Sequence, residues 1–247
     1  MTNPALQSSF ASRYQALHRR VAQVCEQVGR DPNSVQILPV SKTFPESAIV
    51  PAIEMGQLRF AENRVQELKQ KAEYFTAQGV NHLQWVLIGP LQTNKAKYVA
   101  RFATEIQSLD RWSVVQALDK HLQKNHRTLE ALIQVKTSRE ESKSGMAPEQ
   151  VLDFLRQLQE VPSLRVKGFM TVAENTSDQT IVRDCFRRLA QLAEQCRQAT
   201  GLALPELSMG MSADFELAIA EGATQIRVGS ALFGARDYAN GAANGSH

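Results

Sequence analysis

Short runs rich in aliphatic and β-branched residues alternate along the chain with segments whose apolar residues recur every three or four positions. Eight runs stand out, at residues 35–42, 58–62, 84–88, 105–109, 129–136, 164–171, 206–209 and 225–228. Helical periodicity fills the intervals. It is clearest over 180–200, where Ile181, Cys185, Phe186, Leu189, Leu192, Ala193 and Cys196 fall on one stripe. A second case is 212–222, where Phe215, Leu217, Ala218 and Ile219 precede Gly222 in the position of a helix stop. Ahead of the first strand, 11–29 reads as an amphipathic helix with Leu17, Val21, Val24 and Val28 on its apolar face.

Strand followed by helix, repeated throughout, specifies a parallel sheet covered by helices. Eight such units are the closing number of a (β/α)8 TIM barrel. An open doubly wound sheet is the competing α/β arrangement, but no GxGxxG follows the first strand. The expectation is one α/β domain over residues 1–238, a (β/α)8 barrel with an extra N-terminal helix. The small, polar residues 239–247 are expected to form a disordered tail. In such a barrel, chemistry sits at the C-terminal ends of the strands and in the loops behind them.

Composition narrows the picture further. The 247 residues are 43% hydrophobic and 21% charged, which excludes collagen-like, coiled-coil and wholly disordered chains. With 28 basic against 25 acidic residues, the net charge of +3 is too small to imply a nucleic-acid partner. Three cysteines without a CxxC or a Cys/His cluster specify neither a disulfide framework nor a zinc site. The longest apolar run, 48–53, is far short of the roughly eighteen residues that span a bilayer, and the N-terminus has no signal-peptide pattern. A cytoplasmic, reduced protein without membrane contact is expected. No large exposed apolar stripe is evident, so a monomer is expected too.

Lys42 ends the first predicted strand, and strand alternation places it on the face of Leu38 and Val40. If that face lines the barrel, the amine reaches the mouth, where partial desolvation favours the neutral form that attacks a carbonyl. A strand-end lysine pointing to solvent is the ordinary alternative. Ser208, Ser212, Gly229 and Ser230 cluster around the ends of the last two strands, the usual phosphate-binding region of barrels. Ser212 reads as the N-cap of the next helix, and Gly229 lets an anion approach the backbone. A plain cap and a turn glycine are the bland readings. Arg227, inside an apolar strand, requires an acceptor: a carboxylate in a structural ion pair, or a ligand. Lysine, cradle and arginine together suit a small phosphorylated aldehyde held as an imine, and pyridoxal 5′-phosphate (PLP) has those parts. The five histidines lie away from strand ends. Lys120, His121, Lys124, His126 and Arg127 read as a solvated helix end, while Lys95, Lys97 and Arg101 are expected to be exposed, with at most a role in steering phosphate. Cys185, Cys196, Trp85 and Trp112 read as packing.

At these residues the chain resembles the YggS/PROSC family of pyridoxal phosphate homeostasis proteins. The resemblance runs from about Val35 to Tyr238 and rests on motifs in a fixed order. They are LPVSKTFP around Lys42, FAENRVQELKQK around Asn63, WVLIGPLQTNKAKYV around Gln92, KSGMAPEQ at Lys143, GFMTVAE at Met170, and LSMGMSADFELAIAEGATQIRVGSALFGARDY near the end. The resemblance implies a fold type III PLP-binding barrel similar to the N-terminal domain of alanine racemase. It implies that Lys42 forms the internal aldimine and that Ser212, Gly229 and Ser230 hold the phosphate, with Ser208 close by. Arg227 then faces the pyridine nitrogen, and Asn63 is a polar neighbour of the ring. Ala61 stands where the family usually has glycine and Val86 where it often has histidine, departures that bear on the ring edge rather than on the lysine or the cradle.

An arginine opposite the ring nitrogen disfavours a protonated pyridinium and weakens the ring as an electron sink. Fold type III racemases add an acid/base tyrosine from a further C-terminal β domain, for which this chain is expected to leave no room; Tyr14, Tyr74, Tyr98 and Tyr238 include no obvious counterpart, which favours binding over turnover. The expected function is reversible carriage of PLP as a lysine aldimine, within PLP homeostasis and amino-acid/keto-acid balance and without turnover, with apo-PLP enzymes as recipients. A racemase-like PLP enzyme is the alternative, and a barrel enzyme acting on a sugar phosphate through Lys42 is a third.

Overall fold

The structure, a computed structural model, describes residues 4–140 and 143–234. Tyr238 and the tail expected at 239–247 lie outside the described residues. Helix α1 (Pro4–Gln27) precedes eight strand–helix units. The strands are β1 (Gln36–Pro39), β2 (Arg59–Glu62), β3 (Gln84–Leu87), β4 (Glu105–Leu109), β5 (Leu129–Gln134), β6 (Leu164–Met170), β7 (Glu206–Ser208) and β8 (Gln225–Val228). The helices that follow them in turn are α2 (Glu46–Glu54), α3 (Val65–Ala77), α4 (Ala96–Phe102), α5 (Trp112–Lys124), α6 (Pro148–Leu158), α7 (Gln179–Thr200), α8 (Phe215–Ala220) and α9 (Ser230–Phe233).

All strand pairs are parallel, in the order β1-β8-β7-β6-β5-β4-β3-β2, and a parallel bridge between Val40 and Ala61 joins the two ends. The expected (β/α)8 barrel with its extra N-terminal helix is the fold observed. Most buried apolar residues lie in one continuous core that includes Phe60, Leu87, Ile106, Phe169 and Phe186. A smaller cluster of Leu38, Val40, Ala61 and Val86, with Ile88 against it, stands apart from that core. Beside it the barrel interior is polar, with Arg227 paired to Leu38 and Glu105 to Val86 in the strand register. Gln107 of β4 donates to Gln225 of β8, strands that are not neighbours, so this hydrogen bond crosses the lumen.

The departures from the sequence reading have local causes. β1 stops at Pro39, before Lys42; only the Val40 bridge continues it, and the chain then turns, with Phe44 N–H donating to Ser41 O at 3.1 Å. Helix α1 begins earlier than its apolar stripe suggests, and Val28 lies past its end, 40% exposed. On α7 it is Val182, not Ile181, that packs inward. The four-residue α9 is too short to show periodicity. Arg127 is not part of a solvated helix end. Its guanidinium donates to the carbonyls of Ala100, Arg101 and Ala103, satisfying acceptors that the end of α4 leaves without intrahelical partners.

Candidate functional site

The ends of β1 and β8 adjoin the candidate residues Lys42, Arg227 and Gly229. Their register pairs Leu38 with Arg227 and Pro39 with Val228, and Val40 N–H donates to Val228 O at 2.9 Å. Gly229 follows directly. A Cβ there would lie 3.1 Å from the Val40 carbonyl oxygen, so a larger residue would press on the segment leading to Lys42. Beyond Gly229 the chain enters α9, whose first amides, at Ser230 and Ala231, have no intrahelical acceptor. Lys42 itself is half-buried in the turn after β1. The Phe44 ring packs against Phe233 with centroids 5.1 Å apart, joining this turn to the end of α9.

Arg227 is buried, 4% exposed. Its Nη1 donates to Ser208 O (2.7 Å) and Ser208 Oγ (2.8 Å), and its Nη2 to Thr171 O (2.8 Å). Burial pushes its pKa down to about 10, with the negative charge of Asp214 acting in the other direction. The polar interior orders this arginine. Gln107 Nε2 donates to Glu105 Oε1 (2.6 Å) and to Gln225, which leaves Gln107 Oε1 to accept from Ser208 Oγ at 2.7 Å. Glu105 is ion-paired with Arg59. Ser208 is fully buried, and its hydroxyl is committed to Gln107 and Arg227.

Ser212 is half-buried in the turn before α8 but is not the helix cap. That position belongs to Asp214, whose Oδ1 accepts from Met211 N–H at 2.6 Å, and the helix starts at Phe215. Burial raises the Asp214 pKa, against the opposing effects of the Met211 amide and the Arg227 charge. Asn63 is exposed just beyond β2. A Cβ on Gly89 would overlap the Asn63 carbonyl and sit 2.7 Å from Asn63 Oδ1, so glycine is what lets the β2 and β3 ends approach. Ala61 and Val86, the two departures from the family pattern, both belong to the inner apolar cluster beside Val40.

Sequence reasoning did not single out Gln107, Thr171 or Asp214, nor a buried ion pair next to Lys42. Lys71 Nζ lies 2.6 Å from Glu62 Oε1 and donates to Ser41 O at 2.7 Å, and Ser41 Oγ donates to the same Glu62 oxygen at 2.6 Å. Of the residues expected to steer phosphate, Lys97 lies over the Tyr98 ring (4.9 Å) and Arg101 over that of Phe102 (4.9 Å). A cavity of about 600 Å³ opens between the loops after β6 and β7, with Glu174, Asn175, Met211 and Asp214 in its wall; Lys42 and Arg227 are not in that wall. Among the described residues no His/Cys/Asp/Glu cluster is placed to hold a metal, and no helix is long and apolar enough to cross a membrane.

The family model described as alanine racemase, N-terminal domain, matches residues 13–237. The pyridoxal phosphate homeostasis protein of Haemophilus influenzae is 40% identical over 223 residues, 90% of this chain and 94% of its own. This chain belongs to the pyridoxal phosphate homeostasis protein family. Another member-like structure is PipY of Synechococcus elongatus PCC7942 with PLP bound. It is 36% identical and superposes with a TM-score of 0.76 over 87% of this chain and 100% of its own. The alanine racemase of Clostridium difficile 630, at 11% identity, shares the fold with a TM-score of 0.68, over 89% of this chain and 57% of the racemase. The family read from the motifs around Lys42, Asn63 and Arg227 is therefore the right one.

Proposed function

We propose that this protein carries PLP reversibly at the barrel mouth, as a cytoplasmic monomer that takes part in PLP homeostasis without turning over a substrate. The observation that carries the reading is the β1–β8 register. It sets the Lys42 turn, the Arg227 guanidinium and the Gly229–Ser230 corner at adjoining strand ends. Those are the groups that an aldehyde, a pyridine nitrogen and a phosphate on one ring require. PLP bound to a 36% identical protein supports the same reading.

Lys42 Nζ condenses with the aldehyde, with loss of water, to a Schiff base that water reverses. The Ser212 hydroxyl and the first amides of α9 receive the phosphate, and Gly229 keeps the approach open. Arg227 faces the ring nitrogen, and Asn63 borders the ring. Ser208 serves through Arg227, which it holds together with Gln107. Arg227 keeps its charge at neutral pH, since even its depressed pKa is about 10. A permanent cation there opposes protonation of the ring nitrogen, and with it the carbanion chemistry of a racemase. Release of cargo to apo-PLP enzymes follows from the reversibility of the imine.

The test separates carrier from racemase. PLP-loaded protein is incubated with D- and L-alanine in deuterated water, and separately with an apo-PLP enzyme. Restored activity of the apo-enzyme, with Cα exchange no faster than with free PLP, is the expected result. Exchange well above the free-PLP rate would show an enzyme instead.

A further inference from the structure

We propose that helix α3 is the positioning element for Lys42: Glu67 and Lys71, with Glu62 of β2 bridging Lys71 and Ser41, hold the two peptide neighbours of Lys42 and so set the turn from which its amine acts. The inference rests on the reading of Lys42 as the Schiff-base lysine.

Both flanks of Lys42 are gripped. On one side, Ser41 is fully buried; its carbonyl accepts from Lys71 Nζ at 2.7 Å, and its hydroxyl donates to Glu62 Oε1 at 2.6 Å. On the other side, Thr43 has φ of 68°, the left-handed region that β-branched residues avoid. Its N–H donates to Glu67 Oε2 at 2.7 Å. A strained residue persists where its surroundings over-determine it, commonly at a ligand site. Lys71 and Glu67 are four residues apart and therefore on one face of α3.

Stability alone is a poor explanation for the buried pair. Glu62 and Lys71 are 0% and 3% exposed, and an ion pair so deep recovers little more than its own desolvation. Among the described residues Glu62 Oε2 has no hydrogen-bond partner, and burial raises the Glu62 pKa against the opposing effects of Lys71 and Ser41. What the pair does is fix Ser41. It also ties up Lys71, so that this second amine close to the turn does not compete with Lys42 for an aldehyde.

The experiment compares the parent with Glu67→Ala, Glu67→Gln and the charge-neutral double variant Glu62→Gln/Lys71→Met. PLP affinity and the rate of Schiff-base absorbance growth are read beside the melting temperature without PLP. In Glu67→Ala, affinity should fall about tenfold, with the melting temperature lowered by no more than about 6 °C, the worth of the one hydrogen bond lost. Glu67→Gln should recover most of it, because an amide oxygen can still accept from Thr43 N–H. The folded double variant should lose at least as much as Glu67→Ala; if it does not fold, the Glu67 pair decides. Parent-like affinity and rate in Glu67→Ala, or a loss that Glu67→Gln does not recover, would overturn the proposal. Failure of the underlying reading is seen separately, as a PLP absorbance band that survives Lys42→Ala.

Discussion

Replacing Arg227 by methionine should cost function but not stability. The guanidinium sits at 4% exposure with its pKa brought down to about 10, which corresponds to about 3 kcal/mol held against the native state. A base with a depressed pKa binds its proton less tightly when folded, so this cost is present at every pH below about 10 and is relieved only above it. Methionine removes the charge while filling the space of the stem. What it gives up is small. Ser208 O also accepts from Thr171 N–H at 3.1 Å, and Ser208 Oγ still donates to Gln107. One acceptor, the Thr171 carbonyl, loses its Arg227 donor, at about 1–3 kcal/mol. The balance lies between no change and a gain of about 2 kcal/mol. At about 2–4 °C per kcal/mol for a chain of this size, the melting temperature without PLP should be unchanged or rise by up to about 8 °C. PLP affinity should fall about 10- to 100-fold, the worth of a hydrogen bond from a charged donor. Thermal denaturation without PLP and an absorbance titration with PLP read the two halves. A melting temperature lowered by more than about 5 °C, or parent-like PLP affinity, would refute the reasoning.

Three other perturbations test separate parts of the account. Gly229→Ala places a Cβ 3.1 Å from Val40 O at the corner proposed to receive the phosphate. It should weaken PLP at least about tenfold and pyridoxal, which lacks the phosphate, by clearly less; equal losses in the two titrations would contradict the cradle. Arg127→Ala strips a donor from three carbonyls at the end of α4, and should lower stability by about 2 kcal/mol in denaturant unfolding with no change in PLP affinity. Glu206 has its pKa raised chiefly by burial and then by the Glu105 charge, and its Oε2 has no hydrogen-bond partner among the described residues. The native state therefore holds this proton more tightly than the unfolded chain, and stability should decline as pH climbs from 4.5 through the raised value. Glu206→Gln should flatten that decline in denaturant midpoints, and an unchanged slope would show that the carboxyl does not titrate as argued.

The barrel was legible because parallel strands buried on both faces read as apolar runs, and the helices between them keep their own period. All eight strands were located, with errors at their ends where hydrogen bonding rather than hydrophobicity decides. At Lys42 the run ILPVSK continues, yet the strand ends at Pro39 and a turn takes over. Ser212 looks like a cap because serine precedes an apolar stripe, but Asp214 folds back onto Met211 and delays the helix. The supports of the site were the hardest to see. Lys71 lies in a helix rich in charged residues and reads as a surface lysine, although it is buried against Glu62. Glu105 and Gln107 did carry a signal: two polar residues on either side of Ile106 share one face of the strand, here the lumen side that orders Arg227.

The central claim is that Lys42 holds the aldehyde of PLP, and one measurement reaches it most directly. The protein is loaded with PLP, reduced with borohydride, digested, and its peptides are weighed. The account predicts a reduced pyridoxyl adduct on the peptide containing Lys42, and its disappearance in Lys42→Ala. An adduct on a different lysine, or none in a protein that has bound PLP, would contradict it.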